Sequence, residues 1–220
     1  VVKTGELRAA PAPAGGNVVP LFRKPTAQDA FDLARATFLA NERVDMQALT
    51  VRLGVARTTL HRWVGTRETL LDRVLGDLAS EFWDLARTEA RGRGDELVLD
   101  VIRSIVGTTS RFEPALGFVQ REPQLAMRLL VGERFSVRRR SLERLNALVA
   151  EALPGEADRL GHFAEALVHV GTALEWSAIM AGDEPSAQRL AEVAESLLVA
   201  ARAGVLPRGR ATSRSRSATA

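Results

Sequence analysis

A chain of 220 residues, 46% of them hydrophobic, can bury a sizeable core, either as one domain or as a small domain fused to a larger one. It contains no cysteine, which excludes disulfides and Cys-ligated metals, and no apolar run near the roughly 20 residues of a membrane span. The net charge of +3 is unevenly placed: Leu21–Leu75 carries nine Arg/Lys against six Asp/Glu, whereas Gly76–Leu206 carries fifteen against twenty. A basic first third on an acidic body suits a nucleic-acid-binding head on a body that stays off the nucleic acid, although such a segment also arises by chance.

Residues 1–24 are rich in Ala, Pro and Gly, have no period, and read as a disordered basic arm. Val1–Asn17 lacks the apolar stretch of a signal peptide, so a cytoplasmic protein is expected. No run alternates as a strand does, and the fold expected is all-α. The first helix should cover about Ala27–Ala40, capped by Thr26, with Ala27, Ala30, Phe31, Ala34 and Phe38 on one face. Asp45 can cap a second helix with Met46, Leu49 and Leu53 inward, ended by Gly54, where a tight turn needs a left-handed residue. A short third helix carries Leu60, Trp63 and Val64. Thr66 caps a long fourth helix with Leu70, Leu71, Val74, Leu75, Leu78, Phe82 and Leu85 on its apolar face.

The remaining pattern predicts a helix over Asp95–Thr109, a stretch broken by Pro114 and Pro123, and helices over about Glu133–Leu153, Glu156–Ala181 and Ser186–Ala203. That makes about nine helices. Residues 25–75 would form the head and 76–206 a helical body. Residues 207–220, rich in Arg, Ser and Gly, read as a disordered basic tail.

The informative stretch is Val44–Leu71. Two short helices are joined by a turn at Gly54, and Leu49, Leu53, Val55, Leu60 and Val64 would hold them at a fixed angle. The outward positions of the second are then Arg57, Thr58, Thr59, His61 and Arg62, which can reach base edges or phosphates in a major groove. The start of the following helix, Thr66 with Arg67, joins a helix N-terminus to a cation, a combination that favours a phosphate. A helix-turn-helix is also a common packing motif, so periodicity alone leaves DNA binding and simple packing both open.

This stretch resembles the DNA-binding domain of the TetR family of bacterial repressors. Leu53-Gly54-Val55, Thr59-Leu60, Glu68 and Leu70-Leu71 match the family pattern directly, and Arg67 stands where the family has a phosphate-contacting lysine. The chain departs from the pattern at Thr50, Ala56, His61, Trp63 and Val64. With Ala56 in place of Ser, the third helix loses a side-chain cap, typically worth ~1 kcal/mol. His61 stands for a Tyr that usually reaches a phosphate. The resemblance implies an N-terminal three-helix DNA-binding domain, a C-terminal helical ligand-binding and dimerisation domain, and a homodimer on a palindromic duplex DNA operator. It implies DNA contact by Asp45, Gln47, Arg57, Thr58, Thr59, His61, Arg62, Trp63, Thr66 and Arg67. It also implies repression relieved by a small inducer. Within the family, Trp63, the basic arm and the long body resemble the actinobacterial QsdR-like subgroup, which points to a lactone as that inducer.

In the body, Phe112, Phe118, Met127 and Phe135 fall in the Pro-broken stretch and could line an apolar cavity together with Trp176. His162, Glu165, His169 and Thr172 form a polar stripe from which His169 and Thr172 could bond a ligand. The two histidines lie seven apart without a third ligand, so no metal site is expected. Leu160, Phe163, Leu167, Val170, Leu174 and Ala178, then Leu190, Val193, Leu197 and Ala201, are stripes suited to a four-helix bundle with a second copy. Arg138, Arg139 and Arg140 point about 100° apart on a helix and make no flat patch. There is no nucleophile–base pair, phosphate loop or His-Glu-x-x-His motif, so neither enzymatic activity nor a cofactor is expected. The competing reading is a dimeric helical module whose head binds protein rather than DNA.

Overall fold

The computed structural model describes residues 23–206, which form ten α-helices and no strand. The arm up to residue 22 and the tail from 207 to 220 lie outside the described residues. Helix α1 (Ala27–Leu39) opens on a reciprocal capping box: the Asp29 amide donates to the Thr26 hydroxyl, and the Thr26 amide donates to the Asp29 carboxylate. Helix α2 (Met46–Leu53) is capped by Asp45, which accepts from the amides of Gln47 and Ala48. It ends at Gly54, whose φ of 65° is the left-handed conformation that a side chain would strain. Helix α3 (Arg57–Val64) starts at Ala56 without a side-chain cap, as the substitution there implies. Thr66 caps α4 (Arg67–Glu89).

Leu49, Leu53, Leu60 and Val64 are buried against Ala30, Phe31, Ala34 and Phe38 of α1, which fixes α2 and α3 as a helix-turn-helix. Burying side chains of this size contributes about 1.5–3 kcal/mol each. Helix α4 has 23 residues, so it is roughly 35 Å long. It leaves the head without a break: Leu70, Leu71 and Val74 belong to the head's core, and Trp83 and Ala86 to that of the body. The expected boundary near residue 75 therefore falls inside one rigid element.

Helices α5 (Asp95–Thr109), α6 (Glu113–Arg121), α7 (Pro123–Val131), α8 (Ser136–Ala152), α9 (Ala157–Ala181) and α10 (Ala187–Arg202) complete the body. The Pro-broken stretch folds into two short helices, with Pro114 and Pro123 each in a first turn, where no amide hydrogen is needed. Helix α8 starts three residues later than the sequence suggests. The Ser136 amide and hydroxyl both donate to the Asp72 carboxylate of α4, each at 2.7 Å, and this non-local partner takes the place of a cap.

One core joins the head to α6, α7 and Trp176 of α9, and a second fills the space between α4, α5, α8, α9 and α10. Helix α6 lies directly on the turn after α1. A Cβ at Gly117 would stand 2.1 Å from the Asn41 Oδ1, so a side chain there would have to push the Asn41 amide aside. Phe118 meets Phe38 edge-on with 5.8 Å between ring centres.

The stripes expected to face a second copy are corrected in part: Leu174 stays exposed and Val170, Ala178, Val193 and Leu197 half-buried, but the other members turn inward. Leu160, Phe163 and Leu167 of α9 and Leu190 and Ala201 of α10 are buried in this chain's own cores, because α9 packs against both α8 and α10. The large apolar side chains left exposed on these two helices are Leu174, Met180 and Val199. Among the described residues, no helix is long and apolar enough to cross a membrane.

Candidate functional site

The outer face of α3 is built by subtraction. Leu60 and Val64 turn inward, so Arg57, Thr58 and Arg62 are left exposed and Thr59 and His61 half-buried at the rim. Trp63 is partly buried and packs on the head's core, so it supports α3 more than it projects from it. Between Asp45 and Glu68 there is no acidic residue, while Arg52, Arg57, Arg62 and Arg67 all fall there. Arg52, Arg57 and Arg62 make no ion pair among the described residues. Gln47 is exposed on α2, and Thr66 is exposed but bonded to Thr69. The Asp45 carboxylate is spent on the α2 cap. Its pKa is lowered chiefly by the Ala48 amide, so its role is to hold the helix start.

The Arg67 side chain is engaged within the protein itself. Its guanidinium grips Glu122, at the α6–α7 junction, through two hydrogen bonds of 2.7 and 2.6 Å, and its Nε donates to the Val44 carbonyl. Arg43 adds a longer contact to Glu122 at 3.5 Å. Hydrogen bonding from Arg67, with the two nearby positive charges, holds the Glu122 carboxyl below its usual range. This tie is therefore complete at neutral pH and is lost as the pH falls through that lowered value. Arg67 thus joins the head to the body. Arg67→Ala should accordingly lower stability by about 1–2 kcal/mol and leave the salt dependence of DNA binding unchanged. Chemical denaturation and binding isotherms at several salt concentrations would check both. A flattened salt slope would return Arg67 to the DNA.

The body encloses a second feature, an apolar cavity of about 120 Å³. Leu75, Leu78, Phe82 and Trp83 of α4 form one wall, Ile102, Ile105 and Val106 of α5 another, and Leu167, Val168 and Trp176 of α9 a third. Of the residues expected here, Phe112, Thr172 and Trp176 line it. The others do not, which is a correction. Phe118 is turned to Phe38, and Met127 and Phe135 pack on the core shared with the head. His169 is exposed beside Arg138, at 3.4 Å. His162 faces Glu165 on its own helix.

The lining also contains a group that periodicity passed over. Glu175 is 8% exposed and is the one charged side chain among the lining residues. Burial pushes its pKa up to about 7, against the opposing effect of a hydrogen bond with the Thr109 hydroxyl. A signal was present: Glu175 is the only Asp, Glu, Lys or Arg between Ala166 and Gly182, on an otherwise apolar helix. Among the described residues no group of three or more His, Asp or Glu could hold a metal.

Residues 93–199 match the tetracyclin repressor-like C-terminal domain. The fold is similar to that of the R. erythropolis transcriptional repressor QsdR from the TetR family. Identity is 25% and the TM-score 0.73, over 79% of this chain and 94% of that one. It is also similar in fold to the TetR family repressor AlkX from Dietzia sp. Strain DQ12-45-1b, implicated in biodegradation of n-alkanes. Here identity is 21% and the TM-score 0.59, over 86% of this chain and 98% of that one. No curated protein matches the sequence significantly. The domain match covers α5 to the last turn of α10, the likeness to QsdR extends over nearly all of that repressor, and the head carries a helix-turn-helix with its Leu53-Gly54-Val55 turn: in its body and in its fold the chain is similar to repressors of the TetR family.

Proposed function

We propose that the protein is a DNA-binding transcriptional regulator, a homodimeric repressor that leaves a palindromic operator when a small, mostly apolar ligand enters its body. The observation that carries this reading is the outer face of α3: exposed, basic and free of intramolecular ion pairs among the described residues. Arg57, Thr58 and Arg62 are suited to base edges, and Gln47, Thr59, His61 and Thr66 to the flanking phosphates. Repression fits the names of the two similar structures, both described as repressors.

Two heads related by a two-fold axis would read half-sites about 34–36 Å apart. The ligand-dependent step rests on α4. The same continuous helix walls the cavity with Leu75, Leu78, Phe82 and Trp83 and anchors the head with Leu70, Leu71 and Val74. Displacing it at one end must tilt the head at the other. Helix α6 offers a second link, from Phe112 in the cavity wall to Glu122 on Arg67. A ligand acts by preferring the head spacing that no longer fits the operator.

Selection of bound duplexes from a random pool, followed by binding isotherms at several salt concentrations, tests the proposal. A palindromic consensus and an affinity that falls steeply with salt are expected. Absence of duplex binding even at low salt would overturn it. The dimer is tested separately. Leu174→Glu combined with Val199→Glu puts charge on the exposed apolar residues of α9 and α10, and should yield monomers in analytical ultracentrifugation and weaken operator binding together. A dimer that survives both changes would mean that it forms through another face.

A further inference from the structure

Resting on the reading of the body as an effector domain, we infer that the cavity takes a small lipophilic amine, with its protonated nitrogen on Glu175 and its apolar part against the surrounding aromatic rings. The Glu175 side chain is more than nine-tenths buried, and among the described residues its only hydrogen-bonding partner is the Thr109 hydroxyl. That hydroxyl has a single proton and also lies 2.9 Å from the Ile105 carbonyl oxygen. If the proton goes to the carbonyl, the carboxylate has no donor. If it goes to Glu175, one carboxylate oxygen is served and the other is not. A carboxylate left this way among apolar side chains is strongly disfavoured unless it takes up a proton or meets a cation.

The walls favour the cation. Phe82, Trp83, Phe112 and Trp176 all line the cavity, and the negative face of an aromatic ring attracts an ammonium group. Phe82 and Phe112 lock each other edge-to-face at 5.0 Å, and the Trp83 N–H is already given to the Ser141 hydroxyl at 3.1 Å. Phe82, Phe112 and Trp83 therefore contribute π surface alone. Among the described residues no Arg, Lys or His lines the cavity, so an anionic ligand would meet there only the like charge of Glu175. A lactone offers acceptors alone, so it could take a hydrogen bond from the Thr172 hydroxyl but could bond Glu175 only in its protonated form. Burial brings both forms of Glu175 within reach near pH 7, and an ammonium draws the carboxylate form. The volume, about 120 Å³, suits a single-ring molecule, since an apolar cavity of about 150 Å³ takes up benzene.

The test is calorimetric titration of the full-length protein with three probes of matching size: benzylamine, benzyl alcohol and γ-caprolactone. The native chain and Glu175→Gln are compared at pH 6 and pH 8, and release of operator DNA is measured in parallel. At pH 8 the native protein should prefer benzylamine to benzyl alcohol by about ten-fold or more, and Glu175→Gln should bring that ratio close to one. Benzylamine affinity for the native chain should rise about ten-fold from pH 6 to pH 8, as the carboxylate forms, an effect that needs no variant. Among the described residues no other titratable side chain lines the cavity to produce it. Equal or tighter binding of the lactone or the alcohol at pH 8, or an amine preference untouched by Glu175→Gln, overturns the amine assignment and leaves the effector cavity standing. Failure of all three probes to bind overturns both. Amine binding with the expected selectivity but no release of operator supports the assignment and removes induction from the proposed function.

Discussion

Arg57→Ala and Arg62→Ala should each weaken operator binding by ~1–3 kcal/mol, about 5–150-fold, with the fold unchanged. Both side chains are exposed on α3, while the helix is held from its opposite side by Leu60 and Val64, fully and nearly fully buried. Alanine keeps the helix, so the loss reads contact rather than unfolding. The two substitutions separate two kinds of contact. An arginine that reads a base edge relaxes specificity at one position of the operator. One that meets only phosphate lowers affinity on all sequences alike and flattens the salt slope by about one unit. Arg67→Ala provides the contrast, because its partner is Glu122 of the same chain. Wild-type affinity in both α3 variants, with unchanged circular dichroism, would remove α3 as the reading element and with it the central claim about function.

What the sequence disclosed and what it concealed divide along one physical line. Helix starts at Thr26, Asp45 and Thr66, and the end of α2 at Gly54, were legible because a cap is a contact between near neighbours in the chain. The outward set Arg57, Thr58 and Arg62 followed from the 3.6-residue period and the inward Leu60 and Val64. The hidden features all join distant segments. Asp72 caps α8 across 64 residues, Arg67 meets Glu122 across 55, and Thr109 meets Glu175 across 66. Periodicity says that Leu160, Phe163 and Leu167 share an apolar face. It does not say whether that face meets another copy or, as here, helices of its own chain. The same ambiguity misplaced Phe118, Met127 and Phe135, which are apolar enough for a cavity and serve the core shared with the head instead. A domain boundary drawn near residue 75 follows the change in composition. The structure runs α4 and a shared core across it.

Glu175→Gln should stabilise the protein above pH 7 relative to its effect at pH 5. A glutamate has an ordinary value of 4.5, whereas burial raises that of Glu175 in the folded chain to about 7. Between these values the folded chain holds a proton that the unfolded chain has released. Stability from this group is therefore highest in the acid range, falls as the pH rises from 4.5 to about 7, and stays low beyond. At 1.36 kcal/mol per pKa unit, the penalty above pH 7 is up to about 3 kcal/mol. Glutamine fills the same space without ionising, so the variant should lack this fall. Asp45 and Glu122 act in the opposite sense, because their values are lowered and their contribution disappears on acidification, below the window in which Glu175 acts. Urea unfolding of both proteins at pH 5 and pH 8, at one protomer concentration, isolates the effect as a difference of differences, free of any fixed cost of placing an amide beside Thr109. A gain at pH 8 over pH 5 of about 1 kcal/mol or more would establish a buried carboxyl titrating near neutrality. The same difference at both pH values would mean that Glu175 keeps an ordinary pKa and that the cavity is better hydrated than its apolar lining implies.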